Sequence, residues 1–455
     1  MPALLPPLLP VPTSAETRLA YVLRHLRLAY PELPDIGIGY ATGKPRVEVA
    51  DAAAGFFEQQ QPYPAEPNWR EWSGLSIPFF FDPHPERPLL ELLPNGRALI
   101  HADLISAAFY LLSGWQEYYA AERDQHGRFP YSASVQKRYG FVAIPVVNHY
   151  FDVLKMAVEL VTGQLLHRRR WAGTATFAAC ITHDIDNLYS AWKAPAKAAL
   201  LRRDWLRFGR QLWRHFTQKD AWDNVQEVQQ TVANYGAKST FFFLPEHEPG
   251  PDGTPNADYK RPAAWARINR LRKTGAEIGL HASLLAADPL WLEDEAGQVA
   301  SGAAGVGIRF HYLRWEPRTA LTMVAKAGFA YDSTLGFAEH FGFRHSYCRP
   351  FYLFDFSRNE AVRFLELPLN VMDTTLHHPR YLQLAPEEVL PALLPMLQAI
   401  EQFGGLCTVL WHNENFDPVN TRNGPQQFHE LMRYLRSRSA VFLTGSEVSS
   451  EMVKR

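Results

Sequence analysis

The chain has 455 residues, which at about 150 residues per domain leaves room for two or three domains, or for one large α/β barrel with a further domain. Lys plus Arg number 46 and Asp plus Glu 47, a formal net charge of −1, which argues against nucleic-acid binding because phosphate affinity rests on a surplus of basic charge. Apolar residues make up 47% and charged residues 20%, so disorder is excluded and a sizeable core can be built.

Aromatic residues make up 13%, with 12 Trp and 19 Tyr, a supply that suits either a large core or a sugar-binding cleft. Cys180, Cys348 and Cys407 are far apart and form no CxxC pair. A disulfide framework and a Cys-based zinc site are therefore not expected, and a reducing, cytoplasmic compartment is. Met1 to Thr13 is apolar but holds five prolines and no basic residue, unlike a signal peptide. No run reaches about 18 uninterrupted apolar residues, so no transmembrane span is expected.

In chain order, residues 14–170 read as mixed α/β. Thr17 to Leu28 has helical apolar spacing, Val47 to Ala50 reads as a short strand, and residues 59–70 read as a loop rich in Gln, Pro and Glu. Asp103 to Glu122 reads as an amphipathic helix, with Ile105, Phe109, Leu112 and Trp115 on one side. Gly127 and Pro130 break the pattern after Arg123, and Tyr150 to Leu165 is helical again. The basic run His167 to Arg170 marks a boundary, giving an N-terminal domain of residues 1–170 and a second of 171–455.

After Trp171, short apolar runs alternate with helical patterns. Candidate strands are Phe177–Thr182, Thr240–Leu244, Glu277–Leu280, Gly307–Arg309, Leu365–Leu369, Thr408–Trp411 and Val441–Thr444. This alternation predicts parallel βα units and a distorted (β/α) barrel of about seven strands. One segment stands apart: Lys193 to Lys219 holds eight Lys or Arg against one acid, Asp204, with Leu201, Trp205, Phe208, Leu212 and Phe216 at helical spacing. It reads either as a barrel helix with a solvated basic face or as a surface helix that makes a peripheral contact with an anionic lipid or glycan.

Several polar motifs end these runs. In Ile181-Thr-His-Asp-Ile-Asp-Asn187, Asp184 and Asp186 are two residues apart and face the same way on a strand. Two such carboxylates repel unless a cation or proton lies between them, and a metal resolves the conflict. His183, directly before Asp184, points the other way and reads as structural. His281 ends Glu277-Ile-Gly-Leu-His281, Arg309 and His311 end the next run, Asp332 follows Tyr331, and His412 ends Thr408-Val-Leu-Trp-His412. Barrel enzymes assemble their sites at the C-terminal ends of parallel strands, so this set points to a metal hydrolase. Glu366 and Asp373 read as pocket-lining residues or as a solvated rim, and Tyr312, Trp315 and Trp411 as sugar-stacking or core residues.

These motifs, in this order over residues 172–450, resemble those of the polysaccharide deacetylase (NodB homology) family. The resemblance implies a distorted (β/α) barrel, a divalent metal, commonly zinc, and removal of N-acetyl groups from a carbohydrate substrate. Residue by residue, it implies Asp184 as catalytic base, Asp186 and His281 as metal ligands, and Arg309 as the group that orients the base. It further implies His412 as general acid and Asp332 as its support. Tyr312, Trp411, Glu366 and Asp373 are then candidate substrate contacts.

Two departures from the family pattern matter. Leu285 stands where the family has the second His of HxxxH, and His311 stands where it has Pro. A catalytic zinc takes three protein ligands, so His311 is expected to replace the lost one, giving Asp186, His281 and His311. The competing readings are a C–N hydrolase for a small amide or ureide and a non-catalytic glycan-binding protein. The N-terminal run Phe109-Tyr-Leu-Leu-Ser-Gly-Trp-Gln-Glu-Tyr118 with Asp124-Gln-His-Gly-Arg-Phe129 resembles a region of uncharacterised function that precedes such domains, which implies an architecture and not an activity.

Overall fold

The computed structural model describes residues 12–173, 175–300, 305–420 and 424–453. The expectation for Met1 to Thr13 falls almost wholly outside them. No helix among the described residues is long and apolar enough to cross a membrane.

The first helix, Ala15–Ala29, begins where Ser14 Oγ accepts the Thr17 N–H at 3.2 Å. A four-stranded sheet follows in the order Ile38–Gly39, Val47–Val49, Arg97–Ile100, Leu90–Leu93. The hairpin Asn68–Trp72 with Leu75–Phe79 takes up the end of the expected loop. The helix expected over Asp103–Glu122 is two helices, Leu104–Leu112 and Trp115–Tyr119. The break falls at Gly114, whose φ is +75°, and a Cβ there would lie 2.9 Å from His345 Cε1. Every residue of Leu104–Leu112 is buried, so its apolar residues serve a core on all sides and not one face. Val146–Thr162 forms the last helix before the barrel and ends at Gly163.

The barrel strands are β1 (Ala178–Ile185), β2 (Ser239–Phe243), β3 (Glu277–Ala282), β4 (Gly307–Phe310), β5 (Tyr331–Asp332), β6 (Phe351–Asp355), β7 (Glu360–Glu366), β8 (Leu369–Met372), β9 (Leu406–Leu410) and β10 (Val441–Phe442). Pairing runs β6-β7-β5-β4-β3-β2-β1-β9-β8, with β10 beside β1. Apart from the antiparallel β6–β7 hairpin, every pair is parallel. The run β7-Leu367-Pro368-β8 is continuous, with β7 bonded to β5 and β8 bonded to β9. This one segment links the β5 side of the path to the β9 side, so the sheet curls into a ring of seven members with β6 outside it. Each expected strand has a counterpart except Leu365–Leu369, which straddles the end of β7, the link Leu367-Pro368 and the start of β8. The sequence reading omitted β5, which is two residues long, and the hairpin strand β6. Expected strand Val441–Thr444 lies outside the ring as β10.

All eight residues of β1 are buried, as parallel strands covered on both faces require. At the N-terminal end the Tyr331 ring fills the interior. A Cβ on Gly307 or Gly445 would lie 1.9 or 2.1 Å from Tyr331 Cζ, so neither position admits a side chain while the ring is there. The Tyr331 hydroxyl donates to Glu277 at 2.8 Å.

The N-terminal segment and the barrel share one core. Tyr21 and Phe109 meet Phe354 edge to face, at 5.2 and 4.9 Å between ring centres. His25 Nδ1–H donates to the Tyr21 carbonyl at 2.8 Å and its Nε2 accepts the Tyr352 N–H at 3.0 Å. Burial pushes the His25 pKa down to about 3, which keeps the ring neutral as this bonding needs. Arg344 and Glu117 form a bidentate pair across the junction at 2.7 and 2.6 Å, both side chains being almost fully buried.

Candidate metal centre and cleft

The parallel register brings the polar strand ends together. Asp184 lies on β1, and His281 on β3 is paired directly with Arg309 on β4. His311 is two residues beyond Arg309 and so faces the same side, and His412 follows β9. Asp184, Asp186, His281, His311, Tyr312 and His412 line one cleft.

Asp186, His281 and His311 each offer a ligand atom within 4.8 Å of the others. His281 Nε2 is 3.3 Å from Asp186 Oδ1, and His311 Nε2 is 3.7 Å from Asp186 Oδ2. The remaining ring nitrogens fix the tautomers. His281 Nδ1–H donates to the Arg309 carbonyl at 3.0 Å, and His311 Nδ1–H to Asn256 Oδ1 at 3.3 Å. Each Nε2 lone pair therefore faces the carboxylate, an arrangement that suits metal-binding imidazoles. Asp186 Oδ1 is buried with no hydrogen-bond partner. An orphaned carboxylate oxygen opposite two nitrogen lone pairs fits a divalent cation.

The charges within the set pull in opposite directions. Burial raises the Asp186 carboxyl, but His311 and His281 outweigh it and hold it well below the usual carboxylate range. Burial lowers His311, while at His281 the charges of Asp184 and Asp186 outweigh burial and raise it, so a proton and a cation would compete for the His281 Nε2.

Asp184 lies beside this set. Its Oδ1 accepts from Arg309 Nη1 at 2.8 Å, and its Oδ2 is 3.7 Å from His281 Nε2. Arg309 is fully buried and is held by the Ser333 carbonyl at 2.7 Å and the Thr182 hydroxyl at 2.8 Å, so its guanidinium is fixed against Asp184.

His412 has a different partner from the one the resemblance implied. Its Nδ1–H donates to Asp373 Oδ1 at 2.7 Å, and its backbone N–H to Asp373 Oδ2 at 2.6 Å. Asn415 Nδ2 also donates to that oxygen at 2.6 Å. Burial works against the charged ring, but Asp373, with Asp186 and Asp184, overcomes it and raises the His412 pKa to about 10. Asp332 instead accepts from the Thr334 hydroxyl and N–H, and lies opposite Glu366 in the β5–β7 register. It is on a two-residue strand and does not line the cleft.

The other expectations divide. Tyr312 lines the cleft. Trp411 is fully buried and its ring packs on Phe428 at 5.6 Å, so it meets no substrate. Glu366 is fully buried against Asp332 and does not line the cleft either. Asp373, expected at the substrate, supports His412. His183 is buried, with its Nδ1–H on the Trp411 carbonyl at 2.7 Å, and Trp315 packs on Phe310.

Four contributors lay outside the sequence reading: Asn256, Asn415, Glu414 and Arg128. Glu414 accepts from Asn187 Nδ2 at 2.6 Å, and burial raises its pKa to about 7. Arg128 comes from the N-terminal segment. Its Nη1 donates to the Tyr312 carbonyl at 2.9 Å while its Nε holds Asp124 at 2.7 Å. The neighbouring His126 ring stacks on Tyr312 at 4.9 Å and 7°. Tyr312 and Leu313 both have positive φ, +58° and +55°, a backbone strained for such residues. The turn 124–128 braces that strained loop directly after His311. The Asp124–Phe129 run had stood out as a motif; only its partner across the junction was hidden.

Residues 13–162 match a family described as a family of unknown function (DUF7033). No curated protein matches the chain. Among solved structures, a polysaccharide deacetylase described as putative, from Mycobacterium smegmatis, is similar at 18% identity and a TM-score of 0.41, over 62% of this chain and 92% of that one. A probable polysaccharide deacetylase from Pseudomonas aeruginosa PAO1 aligns at 12% identity and 0.38, over 64% and 95%. A Puue allantoinase aligns at 11% identity and 0.38, over 62% and 91%.

Proposed function

We propose that the chain is a metal-dependent hydrolase that removes N-acetyl groups from a carbohydrate. The observation that carries this reading is the convergence of Asp186, His281 and His311 between an Arg-held carboxylate, Asp184, and a carboxylate-held imidazole, His412. Asp186, His281 and His311 would hold a divalent cation, with zinc suited to the nitrogen and oxygen donors. Such a cation supplies Lewis acidity toward the acyl oxygen.

The chain's own residues do the rest. Asp184, oriented by Arg309, takes the proton of the attacking water. His412, held as an imidazolium by Asp373, gives a proton to the departing nitrogen, which a neutral ring has none to spare for. Tyr312 offers a ring beside the cleft for the sugar, and Arg128 fixes the loop that carries it. All three cysteines are free and buried, which suits work in a reducing compartment such as the cytoplasm.

The test is metal content together with acetate release. The purified chain should hold about one equivalent of divalent metal, release acetate from N-acetylated oligosaccharides, and lose the metal in His311→Ala. Full metal retention in that variant sinks the ligand set. Release of ammonia from small amides with none of acetate sinks the substrate class, and neither activity in a metal-loaded chain sinks the hydrolase reading.

A further inference from the structure

Between the end of β1 and the flanking helix Val225–Ala233 the chain inserts two helices, Lys193–Leu201 and Trp205–Thr217. The second buries none of its residues. Leu206 is 88% exposed, Phe216 80%, Trp205 65% and Trp213 60%, and Leu201 at the end of the first helix is 76% exposed. At 100° per residue, Trp205, Phe216, Trp213 and Leu206 fall within an arc of about 100°. Arg210, Arg214 and Arg207 occupy the adjoining flank. All eight Lys and Arg of residues 193–219 are exposed, and the ion pairs made from the segment are Arg207–Asp204 and Lys219–Glu227.

We propose that this hairpin docks on an anionic lipid bilayer. The combination of features selects the occupant. Large exposed apolar side chains in one arc need a nonaqueous phase, and the arginines beside them reach phosphate headgroups along their own aliphatic stems. A second copy of the chain would set like charges against each other. A nucleic acid would use the charge and leave two Trp, a Phe and a Leu in water.

The hairpin follows the C-terminal end of β1, the end that carries Asp184 and Asp186. His215 packs on Trp192 at 4.5 Å, and Asn413 Nδ2 ties Asn187 and Trp222 together at 2.9 and 2.7 Å. It is thereby braced on the loops that carry Asp186 and His412. Val419, 83% exposed, lies in the segment after β9, and Leu290, 73% exposed, in the segment after β3. The hairpin and the cleft residues both follow C-terminal strand ends, and docking of the hairpin is independent of which reaction the cleft performs.

The experiment is vesicle flotation with the full chain. Vesicles containing phosphatidylglycerol should bind at least about tenfold more tightly than pure phosphatidylcholine, with binding falling as salt rises. The double variant Leu206→Asp, Phe216→Asp should lose at least about tenfold with an unchanged melting temperature, since neither side chain is buried. Arg207→Glu, Arg210→Glu and Arg214→Glu together should cost on the order of 100-fold. Equal binding to both vesicle types, no binding, or binding that survives the Leu206→Asp, Phe216→Asp change overturns the proposal. So does a dimer in lipid-free solution that the same change dissociates.

Discussion

His412 and Asp373 form a two-point contact: ring N–H to one carboxylate oxygen at 2.7 Å, backbone N–H to the other at 2.6 Å. The contact fixes both the charge of the imidazole and its direction. Asp373→Asn keeps the size and loses the charge, so His412 should become a neutral ring near neutral pH. The expected result is a fall in kcat of about 10²–10⁴-fold, with metal content unchanged. Retained kcat would remove His412 from the proton transfer.

Asp184 and Asp186 should separate cleanly. Asp184→Asn should reduce acetate release by at least about 10³-fold while metal analysis still finds the ion, because its Oδ1 is committed to Arg309. Asp186→Ala should lose metal and turnover together. If Asp184→Asn turns over normally, the base is another group.

The buried pair Arg344–Glu117 predicts a stability effect far from the cleft. Glu117→Ala leaves a buried guanidinium without its carboxylate, a change that costs about 3–5 kcal/mol in such settings. Urea unfolding of the variant checks this. A loss below about 1 kcal/mol would mean that water reaches Arg344.

Glu366 predicts a pH dependence. Burial first, and the Asp332 charge next, push its carboxyl well above the ordinary 4.5. The folded chain thus keeps a proton that the unfolded chain releases. This group's contribution is fully present below about pH 4.5 and is lost as pH rises toward the raised value. Glu366→Gln keeps a donor toward Asp332 without needing that proton. Its melting temperature relative to the parent should therefore rise between pH 5 and pH 8; a constant or shrinking gap contradicts the assignment.

The barrel is legible because parallel strands read as unbroken apolar runs, and the site because several of those runs end in a polar residue. Arg309 and His311 share a face through local period-2 geometry, which sequence displays. The partner of His412 was not legible. Asp373 reaches it because Met372 and Leu410 are paired across β8 and β9, a relationship between residues far apart in the chain. Asn256 and Arg128 lie on loops, where no periodicity marks a side chain's direction. Over Asp103–Glu122 spacing displays one apolar face, but it does not reveal the second covering surface that buries all of Leu104–Leu112. The 193–219 segment was legible in composition, but its exposed apolar arc belongs to the tertiary structure.

The ring contacts that Tyr21 and Phe109 make with Phe354 have a bearing on how this polypeptide can be cut. A fragment starting at residue 171 would leave the outer wall of the β6–β7 hairpin bare, and residues 13–162 alone would carry the matching apolar flank. Neither piece is a bead on a string. Heating should melt them in a single cooperative transition, and any recombination that transplants one half must bring a complementary seam with it.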